Sequence, residues 1–372
     1  TSGDDGFDDL NGEDVAADQA STLKSENTVN SVKVGGTLAV SGTISVDDDG
    51  PSQFDTIQAA VDAASAGATI EVAPGTYTES VRVDVEDLTL LGPNAGVPAY
   101  SSDRGPEATV DADGSEWAIR IEEQSGNVTV DGFAVEGWTN VGIVQGMSDS
   151  EGTAAHVVNN DVDVTGTPVA HGNSIQVTGD HSAVVGNDVE VTGYASDEPN
   201  WATSGILAEG VNETLIADNH VTYVDTSDVS DYYRGITVEG TPSFDGPAAD
   251  NIVRNNTVVG LSTAISVQMN VTNTTITENT VTESDVGLAV RRYQTRGENN
   301  LVDDIAPTDV ILEDNSFENN GVQVDDPVDA IALAGALDTN EFDRAVVVDR
   351  PGNSLLSTVW SSVQDGVDNA KE

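Results

Sequence analysis

The sequence predicts an all-β fold, a parallel β-helix solenoid of about nine rungs with a short helix over its N-terminal end. Three observations carry that expectation. Beyond Gly67, apolar and polar residues alternate with the two-residue period of a half-buried strand. A unit of one small residue, Ile or Leu, one variable residue and a second apolar residue recurs as AIRI at 118, SIQV at 174, GILA at 205, GITV at 235, AISV at 264, GLAV at 287 and AIAL at 330. A second unit, Asn followed two residues later by Val or Phe, trails the middle copies as NNDV at 159, GNDV at 186, DNHV at 218, NNTV at 255, ENTV at 278 and DNSF at 314. Units of this length cannot bury an apolar face alone, so they stack on one another into a continuous core.

The elements follow in order. Residues 1–34 are polar, acidic and without periodicity, the composition of a linker or stalk. The opening TSGDDGFDDLNGEDVAADQAS reads as the acidic segment that follows a removed signal peptide, so export is expected. From Thr37 the texture becomes strand-like. Ile57, Ala60, Val61 and Ala64 then fall at the spacing of one helix face, with Asp55 and Gln58 as a capping box. The solenoid is expected over 35–345, each rung having an Ile-unit strand, a second strand such as SAVV before the Asn, and a third such as DVEV after it. At about 4.8 Å per rung the rod is near 45 Å long. Asn160, Asn187, Asn219, Asn256, Asn279 and Asn315 read as turn residues, tolerant of left-handed backbone and able to hydrogen-bond from rung to rung. Residues 346–372 form a cap or tail, with Leu355, Val359, Val363 and Val367 at intervals that predict a helix over the open end.

Charge limits the partners. The 372 residues carry 65 Asp plus Glu against 13 Lys plus Arg, a net of −52, with lysine only at 24, 33 and 371. Such a field repels nucleic acid and anionic lipid. At molar salt the Debye length falls to about 3 Å and dispersed carboxylates become a hydrated, soluble surface. This pattern resembles the proteins of salt-adapted haloarchaea. There is no cysteine, hence no disulfide or thiolate chemistry, and no apolar run reaches the length of a membrane span. His156, His171, His181 and His220 have no metal-ligand spacing, so no metal site is expected among them. Sequons stand at Asn127, Asn212, Asn255, Asn270 and Asn273, and the sequence leaves their modification open.

Strand alternation supplies candidate site residues. With Ile119, Ile175, Ile206, Ile236, Ile265 and Leu288 inside, and the residues two further on also inside, the next column faces outward: Glu122, Thr178, Glu209, Glu239, Gln268 and Arg291. Glu209 and Glu239 on adjacent rungs would crowd one another. Such crowding raises one pKa and suits acid and base roles, and a separation near 5 Å is that of a retaining glycosidase. The same pair could equally be two exposed acids of a salt-loving surface, or take a hard cation such as Ca²⁺. Trp117, Trp138, Trp201, Tyr232 and Tyr233 precede inward Ile positions, and Arg234, Arg291, Arg292, Tyr293 and Arg296 join them. Aromatic platforms and scarce cations on one face suit an acidic polysaccharide.

The stretch ISVDDDGPSQFDTIQAAVDAASAGATIEVAPGTYTESVRVDVEDLTLLGPN resembles the opening of the right-handed parallel β-helix superfamily that includes pectin methylesterases and pectate lyases. GTYTE, with Gly75, Tyr77 and Glu79, is similar to the GxYxE segment of pectin methylesterases, and the repeats extend the likeness to about residue 335. The paired Asp motifs of those esterases have no counterpart. Asp349, Arg350, Pro351 and Gly352 only echo their late Gly-Arg-Pro-Trp, and Ala170, His171 and Gly172 their hydrolase relatives' Gly-His-Gly. The resemblance implies an extracellular protein of secreted or cell-surface type. The foremost expectation is polysaccharide binding, with Glu209, Glu239 and Arg291 as catalytic candidates if the chain is a polysaccharide lyase or glycoside hydrolase. A non-catalytic surface adhesin and a virion spike or appendage subunit, in which rods associate as a homo-oligomer, are the alternatives.

Overall fold

The computed structural model describes residues 40–123, 125–146, 153–164, 172–192, 203–224, 233–240, 248–297, 300–326, 328, 330–343, 346–348 and 357–360. The expected acidic stalk, Trp201, Tyr232, His171 and Asp349 to Gly352 lie outside these residues.

The chain winds as a parallel β-helix with three sheets along its length. The first face is built from the Ile-unit strands, parallel from Val81–Val83 to Val322–Asp326, and the other two faces are sheets of 10 strands each. Every strand of the solenoid pairs in parallel with the strand one turn away. Inside, the rungs stack like on like: Ile119, Ile143, Ile175, Ile206, Ile236, Ile265 and Leu288 lie in one column, all at most 1% exposed. Flat stacks of β-branched residues suit a pleated, fully buried surface. Among the described residues no helix is long and apolar enough to cross a membrane.

The rung Val141–Gln145 lies between the AIRI and SIQV strands and is absent from the repeat read in the sequence. Its second inward position, which pairs with Ile121, is Gln145 rather than an apolar residue. The buried amide is satisfied there because its oxygen accepts from the backbone N–H of Thr178 and Gly179 at 3.2 and 3.0 Å.

Four sequence expectations change. The helix Ile57–Ala63 is capped by Thr56, whose hydroxyl accepts from Ala59 N, and not by an Asp55–Gln58 box. Its other free N–H groups go to Glu79, whose carboxylate accepts from Ile57 N at 2.7 Å and Gln58 N at 2.9 Å. The repeated asparagines do form a ladder, each side-chain oxygen from Asn187 through Asn315 and on to Asn340 accepting from the Asn one rung before it, while that of Asn160 accepts from Phe133 N. The left-handed residue of each turn, however, is the one before: Asn159, Gly186, Asp218, Asn255, Glu278 and Asp314. AIAL at 330 is not an Ile-unit strand. Ile331 bridges Val310, and the chain enters a helix, Leu333–Thr339, whose Ala- and Leu-rich sequence favours it. At Val359, within the expected terminal helix, the chain is instead a strand, Ser357–Trp360, antiparallel to Val322–Asp326 and Val346–Val348, so this strand pairs with that edge of the first face; Leu355, Val363 and Val367 lie outside the described residues.

GTYTE takes its meaning from this end of the rod. A Cβ on Gly75 would lie 2.4 Å from Asp48 Oδ1, the buried Tyr77 donates its hydroxyl to Ala73 O at 2.9 Å, and Glu79 caps the helix. All three residues serve the fold.

Candidate functional site

The small residue of each Ile unit sets the shape of the first face. A Cβ on Gly235 would stand 2.6 Å from Val258 Cγ1 and 2.5 Å from Ala264 O, and one on Gly205 would meet Val191 and Val221 at 2.7 and 2.8 Å. The glycines therefore point inward against the third face, immediately before the inward Ile. Two consecutive inward residues bend the strand, and Arg234, Thr237 and Glu239 all emerge on the outer side of Tyr233–Glu239.

The outer columns are as the alternation predicts. Glu209 pairs in register with Glu239, Glu239 with Gln268, and Gln268 with Arg291. Gln268 donates its amide to the Glu239 carboxylate, and Gln176 donates to Glu209 at 3.3 Å. Burial holds the Glu239 carboxyl above the ordinary carboxylate range, opposed by the Gln268 hydrogen bond and by Arg234. The shift expected for this residue is thus present, but its leading cause is desolvation, with no need of a crowding neighbour.

Arg234 and Arg291 line one cleft of about 230 Å³, together with Ser262, Thr263, Ser266, Asp285 and Ala289. Burial lowers the pKa of Arg234 from its ordinary value, with Glu239 acting against the shift and Arg291 adding to it. Arg291 is anchored by Asp325, at 2.6 Å to the carboxylate and 3.2 Å to the backbone carbonyl. One guanidinium is therefore held by a carboxylate at its back, and the other stands close enough to feel it, beside three hydroxyls. That donor set suits an anion with further oxygen acceptors around it.

Among the described residues no aromatic side chain lines this cleft. Trp138 is 5% exposed within the hydrophobic core, so its ring offers no face to a sugar, and its place as a platform is corrected accordingly. Tyr233 stacks on Tyr223 with centroids 4.0 Å apart and planes 10° apart. Trp117 carries the Arg120 guanidinium over its ring at 4.7 Å. Arg292 is exposed at the end of the Val286–Arg291 strand, and the backbone of Tyr293 begins a short hairpin with 300–305.

Sequence reasoning missed two clusters. Arg82 and Arg120 occupy the same outer column of adjacent first-face strands and share Glu122, at 2.6 and 3.1 Å. On the third face Asp161 and Asp188 stack in one outward column, with Asp163 and Glu190 at the outward positions two residues on. The signal for the latter was available as DVDV and DVEV, in which Val points inward and every acid outward. Among the described residues, only Asp47, Asp48 and Asp49 bring three carboxylates close enough to share one cation. Asp47 there accepts from Gly50 N at 2.9 Å, closing the turn, and the group is far in sequence from Glu209 and Glu239, the pair whose carboxylates would suit Ca²⁺ by chemistry.

Solved structures similar to this chain share its architecture. They include pectate lyase Pel9A (11% identity, TM-score 0.46, covering 87% of this chain and 77% of that one). An alginate lyase from Paenibacillus sp. str. FPU-7 matches at 15% identity and TM-score 0.39, over 81% and 97%. Pectin methylesterase PemA from Erwinia chrysanthemi matches at 11% identity and TM-score 0.40, over 77% and 90%. No family model and no curated protein matches the chain. At these identities the likeness concerns the fold alone, and residue roles rest on the geometry above.

Proposed function

We propose that this is an exported, salt-adapted protein that binds an acidic polysaccharide along its first face, with Arg234 and Arg291 holding an anionic substituent of the glycan. The observation that carries the reading is the convergence of these two side chains on one hydroxyl-lined cleft. A chain of net −52 has ten arginines, and two of them meet at this concave spot, where Asp285 also lines the wall and Asp325 neutralises Arg291, so Arg234 is the cation left to meet an anion. Guanidinium groups grip a carboxylate through paired N–H donors, and Thr263 and Ser266 supply partners for ring hydroxyls, while the Ser262 hydroxyl is bonded to the backbone of Tyr233. A desolvated, hydrogen-bonded contact of this kind is screened less by salt than an exposed pair.

Binding comes ahead of cleavage in this reading. Any cleavage would draw on Glu239, whose buried carboxyl retains its proton to higher pH than an ordinary glutamate, with Glu209 one strand away. The test is equilibrium binding of pectate, alginate and a neutral dextran control in molar KCl, with unsaturated products and reducing ends followed in parallel. Acidic glycans are expected to bind and dextran not to. Arg234→Ala is expected to weaken binding at least about tenfold, equivalent to about 1.4 kcal/mol, and Arg234→Lys to recover only part of it. Equal binding of wild type and Arg234→Ala would remove the basis of the proposal. Loss of product formation in Glu239→Gln with binding intact would assign cleavage to that residue.

A further inference from the structure

The second face differs from the other two in its charge. On five consecutive strands, 155–158, 183–185, 215–217, 252–254 and 275–277, no outward side chain is acidic. The third face carries Asp161, Asp163, Asp188 and Glu190 on the first two of these rungs, with no acid on its strands His220–Tyr223, Thr257–Val259 and Thr280–Thr282, and the first face carries Glu209 and Glu239. Toward its C-terminal end the second face also exposes two large aliphatic side chains, Ile252 at 40% and Ile311 at 43%. They lie in one column, Ile252, Thr275, Ile311, beside a second column, Arg254, Thr277, Glu313. Arg254 and Glu313 are both exposed, and Arg254 makes no ion pair among the described residues.

We infer that this patch is a self-complementary contact through which two copies of the chain dock face to face. The carrying feature is its internal symmetry about the strand Thr275–Thr277. A two-fold axis along that strand, lying between the two sheets, sets Thr275 and Thr277 over their own copies. It brings Ile252 of each molecule over Ile311 of the other and Arg254 opposite Glu313, so that one apolar and one ionic contact each occur twice. Charge selects the occupant as well. Two molecules of net −52 repel wherever carboxylates meet, and here Glu313 is the one outward acid of the strands 252–254, 275–277 and 311–313, placed where the symmetry pairs it with Arg254.

The size of the strip sets its strength. From 215–217 to 311–313 there are three inter-strand steps, about 14 Å, and a three-residue width gives an area well below the ~800 Å² per partner of a stable interface. The dimer is therefore weak and concentration-dependent. Salt favours it by screening the acidic rims, and salting-out ions favour it further by strengthening apolar burial. The contact lies away from the first-face cleft and does not depend on glycan binding.

The experiment is sedimentation equilibrium of the full chain in molar KCl over a wide concentration range. The weight-average mass of the wild type is expected to rise from monomer toward dimer. Ile252→Asp and Arg254→Glu are each expected to raise the dissociation constant about tenfold or more, an effect of about 1.4 kcal/mol. The exchange Arg254→Glu with Glu313→Arg re-forms both ion pairs with reversed sign and is expected to restore association to near the wild-type level. All substituted positions are exposed, and matched circular dichroism melts confirm that each variant is folded. A wild type that stays monomeric throughout, as it would if a different protein covers this face, overturns the inference. So does an Ile252→Asp variant that associates as well as wild type, or a charge exchange no tighter than Arg254→Glu alone.

Discussion

Asp161→Asn should stabilise the protein at alkaline pH and leave it nearly unchanged in acid. Asp161 stands on the outer side of the third face, in register with Asp188, and its carboxyl is pushed up to about 7 from 3.8. Burial is the main cause, Asp163 and Asp188 add to it, and Arg104 opposes it. Arg104 belongs to the segment 92–107 that runs along this edge. It is fixed by two 2.8 Å bonds to Glu107 and one of 2.7 Å to Asn159 O. Because the folded-state pKa is raised, protonation favours the folded state. The associated stability is present in full below the unfolded value near 3.8 and is lost as pH rises through about 7. A shift of roughly three units corresponds to about 4 kcal/mol at 1.36 kcal/mol per unit, and partial exposure of the side chain reduces this to about 2 kcal/mol. His220, raised chiefly by its hydrogen bond to Asp188, changes stability in the same direction, so the quantity to read is the difference between variant and wild type. Unfolding is followed in molar KCl at about pH 3.5 and about pH 8.5, on either side of the transition. A difference that grows by about 2 kcal/mol toward alkaline pH is expected. A pH-independent difference, or a variant less stable than wild type at alkaline pH, would refute the assignment of buried, mutually repelling carboxyls to this face.

The fold makes two further predictions. Asn256→Ala removes a ladder member that accepts from Asn219 and donates to Ile216 O and Asn279, leaving several buried groups unpaired. A loss of about 3–5 kcal/mol is expected in denaturant unfolding, with glycan binding by the folded fraction unchanged. Gly235→Val drives a side chain into Ala264 O and Val258, for a loss of about 2–3 kcal/mol. Gly335→Ala, in a helix with nothing within 4 Å of the added methyl, should instead gain about 0.5–1 kcal/mol, so the pair measures packing at the corner against propensity in the helix.

The repeat was legible because its periodicities are local and its inward residues are chemically alike. Where an inward position turns polar, as at Gln145, the rung became invisible, although the stack satisfies the amide through backbone groups 33 and 34 residues away. The asparagine ladder was legible in kind, but the left-handed residue beside it was not. Asn, Gly, Asp and Glu all occupy that position, and only the backbone angles reveal it. Of the candidate site, the outward register of Glu209, Glu239, Gln268 and Arg291 was readable from alternation alone. The burial of Trp138, and the pairing of Trp117 with Arg120 and of Tyr233 with Tyr223, were not, since aromatic residues near a corner can turn either toward solvent or into the stack.

Local pattern alone set the period, the three-strand rung and the direction of the side chains along the regular part of each recognised strand, because a two-residue alternation and a repeated turn leave one way to bury the apolar face. Which residues meet across rungs was decided only by the tertiary structure. It brought Arg234 and Arg291 to one cleft, set Arg254 and Glu313 on either side of one strand, and gave Glu239 its raised pKa through burial. Those properties depend on desolvation and on neighbours tens of residues distant. The physical reason is that stacking converts sequence separation into a spacing of about 4.8 Å, and only at that distance do charge and burial act.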